Sequence, residues 1–141
     1  MIAELPLTVR YAIAACVCMA RQGDARRPAR AIAEATGIPP AFLAKILRQL
    51  AAAEIIDGER GHGGGYRLSR APDDIVLADV VSALDGPSGS NVCSMGDRAC
   101  NSADPCPLHE LWSLATAPIN QLAHTVTLGR LAKISKDNER A

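Results

Sequence analysis

Residues 91–112 read NVCSMGDRACNSADPCPLHELW and hold three of the chain's five cysteines, Cys93, Cys100 and Cys106. His109 follows three positions after the last thiol. The surrounding Gly, Asn, Ser, Asp and Pro offer little from which to build a core. Thiolates are soft anionic donors that suit iron–sulfur clusters, zinc and Cu(I), and a neutral imidazole can join them. Six residues separate Cys93 from Cys100, five separate Cys100 from Cys106, and two separate Cys106 from His109. That spacing is too wide for the paired C-x2-C knuckles of structural zinc, although a Cys3His zinc site is chemically possible. A loop with one disulfide and one remaining thiol is a third arrangement. His109 and Glu110 could also serve simply as the first turn of a following helix.

At 141 residues the chain is one domain's worth and can bury a core without staples, so the cysteines need another role. No run approaches the roughly 20 apolar residues of a membrane span. The apolar run Tyr11–Ala20 is short and follows Arg10, unlike a secretory signal. A cytoplasmic, reducing location is expected, where clustered thiols are metal ligands or reactive groups sooner than structural disulfides. Cys16 and Cys18 lie about 200° apart on a helix, so they cannot share a site, and Cys16 reads as a small buried hydrophobe. His124 has no ligand partner in sequence and reads as structural. Paired carboxylates, a nucleophile–base pair and a cofactor fingerprint are all missing, so neither an enzyme nor a small-molecule substrate is expected. A thiol redox protein is the runner-up class.

The charges are divided. Residues 1–70 carry ten Lys/Arg against six Asp/Glu, a net of +4, and residues 71–141 carry five against nine, a net of −4. A basic front half suggests a polyanionic partner. Aromatics are scarce at 3%, which argues against a base-stacking surface for single strands.

The elements that position these groups follow from periodicity and punctuation. Thr8 can cap a helix running to about Gln22, followed by the basic loop Arg26-Arg27-Pro28. A short helix spans Ala29–Ala35. The turn Gly37-Ile38-Pro39-Pro40 then starts a third helix with Phe42, Leu43, Ile46, Leu47 and Leu50 inward and Lys45, Arg48 and Gln49 outward. Two helices across a tight Gly-containing turn form a helix-turn-helix. Ile55-Ile56 opens a strand and Tyr66-Arg67-Leu68 returns antiparallel. The intervening Gly58-Glu59-Arg60-Gly61-His62-Gly63-Gly64-Gly65 makes the tip of a wing. Arg60 and His62 there could enter a minor groove. A phosphate-binding loop is a poor alternative, because no Lys-Ser/Thr follows the glycines. Ile75–Leu84 is helical and Asp85–Ser90 breaks the chain.

After Pro107 the apolar positions Leu108, Leu111, Trp112, Ala115, Ile119, Leu122 and Val126 keep helical spacing, with a kink or break expected at Pro118. The stripe is too long for one side of a small domain to cover. A second copy of the same helix would cover it in a two-fold homodimer; the alternative is cover by the first helix and Ile75–Leu84 of the same subunit. The resulting fold class is mainly α: a winged helix-turn-helix with a two-stranded wing and a long C-terminal dimerisation helix. The expected units are a DNA-binding domain at 1–70, a connector helix at 71–90, a cysteine-rich loop at 91–107, a dimerisation helix and turn at 108–133, and a polar tail at 134–141.

This combination resembles the IscR/NsrR-type iron–sulfur transcription regulators. The resemblance rests on Leu7-Thr8-Val9-Arg10-Tyr11-Ala12, on the wing Glu59-Arg60-Gly61-His62-Gly63-Gly64-Gly65-Tyr66, on the three-cysteine loop and on Thr127-Leu128-Gly129-Arg130-Leu131. It covers about residues 5–133. It implies a homodimer on palindromic double-stranded DNA, with contacts from Arg30, Pro40, Ala41, Lys45, Arg48, Arg60, His62, Gly63 and Gly64, supported by Arg27. It also implies a [2Fe–2S] cluster on Cys93, Cys100, Cys106 and His109, with a [4Fe–4S] cluster or zinc as alternatives. Two departures stand out. The first cysteine interval is one residue longer than the IscR-like pattern, and Arg10 occupies the place where NsrR-like members carry a ligating aspartate. Ala41 and Ala44 replace the polar reading residues of IscR-like members, so base preference should differ.

Overall fold

The computed structural model describes residues 5–85 and 103–140. Helix α1 spans Leu7–Gln22, α2 Ala29–Thr36 and α3 Pro40–Ala52. Strands β1 (Ile56–Glu59) and β2 (Gly65–Leu68) pair antiparallel, with Ile56 opposite Leu68 and Glu59 opposite Gly65. A 3₁₀ turn at Pro72–Asp74 leads to α4 (Leu77–Asp85), and α5 (His109–Thr125) and α6 (Leu128–Arg140) complete the described residues. The chain is a mainly helical winged-helix fold.

The core forms where the apolar faces of these helices converge. Ala12, Ala15, Cys16 and Met19 of α1 meet Ile32 of α2, Leu43, Ile46, Leu47 and Leu50 of α3, Val80 of α4 and Leu128 of α6, all buried. Small residues on α1 allow this close approach, while the large aliphatic side chains of α3 fill the volume.

Several boundaries differ from the sequence expectation. Thr8 lies inside α1; Pro6 takes the N-cap position, and its carbonyl accepts a hydrogen bond from the Arg10 N–H at 3.1 Å. Phe42, expected inward, is 48% exposed, because it lies at the flank of the α3 apolar stripe beside Tyr11. Gln49, expected outward, is half-buried and donates from Nε2 to the Leu84 carbonyl at 3.4 Å. Helix α4 starts two residues late because Ile75–Leu77 is bound to Val126–Leu128. Leu77 N–H donates to the Val126 carbonyl and Leu128 N–H to the Ile75 carbonyl, each at 2.9 Å, around a Val76–Thr127 bridge. Helix α5 runs unbroken through Pro118. The expected polar tail begins within α6, which packs on α1 through Leu128 and Leu131.

Candidate nucleic-acid interface and metal-ligand donors

Helices α2 and α3 meet across Gly37, whose left-handed backbone (φ 74°) closes α2 by an N–H bond to the Ala33 carbonyl at 2.8 Å. Ile38 then turns into the core and Pro40 opens α3, where its missing N–H leaves no broken bond. With Leu43, Ile46, Leu47 and Leu50 buried, the same helix leaves Pro40, Ala41, Ala44, Lys45 and Arg48 exposed. Two cations and two methyl groups thus share an accessible face, the arrangement by which a recognition helix meets phosphates and base edges.

The wing carries Arg60, Gly61, His62 and Gly63 exposed at its tip, and Gly64 is half-buried with its N–H donating to the Gly61 carbonyl at 3.0 Å. Its base is held from a direction the sequence did not reveal. Arg26 is largely buried and clasps β1. Its Nη2 lies 2.9 Å from Asp57 Oδ2, its Nε 2.9 Å from Glu59 Oε2, and its Nη1 donates to the Asp57 carbonyl at 3.1 Å. Asp57 and Glu59 are two apart on a strand and therefore share a face, a signal for a buried cation between them. Arg67, opposite Asp57 in the ladder, adds a 3.6 Å pair.

Arg27 joins the same sheet through its main chain. Its N–H donates to the Tyr66 carbonyl at 3.0 Å and its carbonyl accepts from Tyr66 N–H at 2.8 Å. Its guanidinium turns back to donate to Cys18 Sγ at 3.3 Å, so its side chain is engaged within the fold. Arg30 is 90% exposed, with a loose 3.9 Å pair to Glu34.

The Arg26 hydrogen bond, reinforced by the charges of Arg26 and Arg67, holds the Asp57 carboxyl below its ordinary value of 3.8. A depressed carboxyl contributes stability that is present above pH 3.8 and is lost as the pH falls through the lower folded value. In an NMR titration Asp57 should therefore protonate below pH 3.8, and Arg26→Gln should return its midpoint towards that value. Identical midpoints in the two proteins would show that Arg26 does not hold this carboxylate.

Of the four expected ligands, Cys93 and Cys100 lie outside the described residues. Cys106 precedes α5 and His109 opens it, both half-buried, with the His109 N–H donating to the Cys106 carbonyl at 3.0 Å. Three residues apart on one turn, a thiol and an imidazole can reach a common centre, and their donor chemistry suits iron or zinc. Among the described residues no cluster of three or more such donors forms. Cys16 is excluded from ligation by burial, which pushes its thiol up to about 12.

Helix α5 has no buried residue. Leu111 (65% exposed), Leu114 (68%), Ile119 (53%) and Leu122 (60%) stand out along it, with Leu108, Trp112 and Ala115 also exposed. Leu114 was not among the sequence-selected positions, because it lies about 120° round the helix from the centre of that stripe. Val126 is set apart from that stripe: it is half-buried and its carbonyl belongs to the Leu77 bond.

Residues 6–134 match the family profile described as "Rrf2: Iron-dependent Transcriptional regulator". The chain is 32% identical over 123 residues to the HTH-type transcriptional regulator IscR of Sodalis glossinidius, an alignment that covers 86% of this chain and 74% of that protein. It is 32% identical over 131 residues to the IscR of Vibrio atlanticus, covering 92% and 73% respectively. Among solved structures, T. potens IscR aligns with a TM-score of 0.79 at 22% identity, over 99% of this chain and 93% of that one. CymR (YrzC), the global cysteine regulator of B. subtilis, aligns with a TM-score of 0.74 at 21% identity, over 94% and 98%. At these identities the structural matches speak to the fold.

Proposed function

The chain belongs to the Rrf2 family of transcriptional regulators, and from that premise we propose that it is a homodimer on palindromic DNA whose binding responds to an iron–sulfur cluster. It is a DNA-binding regulator and not an enzyme. The observation that carries the cluster reading is the place of the donors: Cys106 lies in the turn that leads into α5 and His109 opens that helix, whose apolar side chains are exposed. Cys93, Cys100, Cys106 and His109 are the residues that would hold a [2Fe–2S] cluster, through three thiolates and one imidazole. When bound, the cluster supplies a centre reactive to oxidants and nitric oxide and responsive to iron supply.

The protein's own residues provide the rest. Because His109 begins α5 and Cys106 lies in the turn just before it, donor geometry is tied to the helix that pairs two subunits. A change there alters the spacing of two reading heads, each made of α3 and a wing, which is a two-state element biased by a local ligand. On each head Lys45, Arg48, Arg60 and Arg30 contact the duplex, with Pro40, Ala41, His62, Gly63 and Gly64 close to it. The pairing helix contributes Leu108, Leu111, Trp112, Ala115, Ile119 and Leu122, with Val126 at its end.

The test is anaerobic purification followed by visible spectroscopy and iron, sulfide and zinc analysis. A coloured protein with two irons and two sulfides per subunit is expected. Cys106→Ser should lose most of its visible absorption within a purification while its far-ultraviolet circular dichroism stays unchanged. Colourless protein with stoichiometric zinc would remove the cluster and leave the DNA reader.

A further inference from the structure

Phe42 is the feature of the reading face that the contacts already described leave unused. It is 48% exposed on α3, in the same turn as Ala41, Ala44 and Lys45. An aromatic ring buries a large apolar area when it finds a partner, so leaving it half in water forgoes that gain. Its ring is nevertheless held in place. Tyr11 of α1 meets it edge to face, with centroids 6.1 Å apart and planes inclined by 68°. Such a pair restrains one side of the ring and leaves the opposite side open.

We infer that Phe42 is a specificity-determining residue that reads the C5-methyl group of a thymine in the major groove, with Tyr11 as its positioning residue. The inference rests on the DNA-reading function proposed above. The argument is one of elimination by chemistry. Phe offers neither donor nor acceptor, so it cannot read hydrogen-bonding edges. A recognition helix enters the major groove, whereas intercalating wedges act from the minor groove. In the major groove the thymine methyl is the apolar group a base presents. Ala41 and Ala44, both exposed on the same helix, carry only methyl groups and leave room for a base to approach its open face. Lys45, three residues from Phe42 and exposed, suits an adjacent phosphate or guanine.

The experiment starts with selection of DNA from a random library by the wild-type dimer. Each thymine of the selected site is then replaced by deoxyuridine, which removes the methyl group and keeps the base pair. Affinities of wild type, Phe42→Ala and Phe42→Leu are compared at one salt concentration, alongside sedimentation. One thymine per half-site should weaken wild-type binding about fourfold on demethylation, the ratio expected for losing one buried methyl-sized group. Phe42→Ala should bind thymine and deoxyuridine equally at that position, and Phe42→Leu should keep part of the preference. The assignment is overturned if Phe42→Ala keeps the wild-type deoxyuridine profile, if no thymine is sensitive, or if Phe42→Ala changes only the monomer–dimer equilibrium. Failure of the wild type to enrich any sequence would instead defeat the DNA-reading function itself.

Discussion

Gly65→Ala is expected to lower folding stability by about 3 kcal/mol and to abolish high-affinity DNA binding. Gly65 has φ +132°, a conformation that side chains rarely adopt, and a Cβ there would meet only main chain: the Arg27 carbonyl group, and the Pro28 nitrogen at 2.7 Å. Neither can move without breaking the two Arg27–Tyr66 hydrogen bonds that fix the wing to the loop before α2. Each such bond contributes ~1 kcal/mol, and the backbone strain adds on the order of 1–3 kcal/mol. Gly23→Ala, away from the DNA contacts, is the matched control. Its φ of 74° is also unfavourable for alanine, but a Cβ there meets nothing within 4 Å, so the cost should be about 1 kcal/mol. Urea denaturation of both variants, with a salt-matched DNA titration, checks the difference. Equal losses would mean that close approach to Arg27 is not what requires glycine at position 65.

Leu111→Asp combined with Leu122→Asp should convert the protein to a monomer in sedimentation while leaving subunit stability within about 0.5 kcal/mol. Both side chains are more than half exposed, so within one subunit a carboxylate at either place stays hydrated. Across a two-fold interface the same carboxylates would face apolar side chains and one another, where burial of unpaired charge is strongly unfavourable. Palindrome binding should fall at least a hundredfold, because the second head loses the high effective concentration that linkage gives it. A persistent dimer would place the pairing surface elsewhere, and a collapse in subunit stability would mean that the stripe is covered within one chain.

The sequence was most informative where one period governs one element. Leu43, Ile46, Leu47 and Leu50 face inward as their spacing implies, and all four are buried. Gly37 and the glycines before Tyr66 marked the turn and the wing, because those backbones exclude most side chains. What escaped depends on partners distant in sequence. Phe42 flanks its helix, so Tyr11, 31 positions earlier, decides its surroundings. Arg26 looked like its neighbour Arg27 until β1 placed Asp57 and Glu59 around it. The end of α5 and the start of α6 are set by Ile75–Leu77, which no local pattern announces. Candidate ligands could be chosen by type and spacing, and of the four only Cys106 and His109 lie within the described residues.

The joint between Ile75–Leu77 and Val126–Leu128 also dictates the order in which the molecule can be made. Leu128 is fully buried against the core to which α1 contributes four residues, and α6 packs along α1. During synthesis α1 can meet α2, α3 and α4 first, but its contact with α6 comes only at the end of the chain. The intervening stretch of about fifty residues has to close on itself at an entropic cost on the order of 3–4 kcal/mol before the core is complete. Domains fold as their chain emerges, and here the cysteine-bearing stretch leaves the ribosome after the reading head but before α6 completes the core. Cys106 and His109 are thus already synthesised when Leu128 reaches its buried place, so the last step of core assembly comes after the segment that bears them.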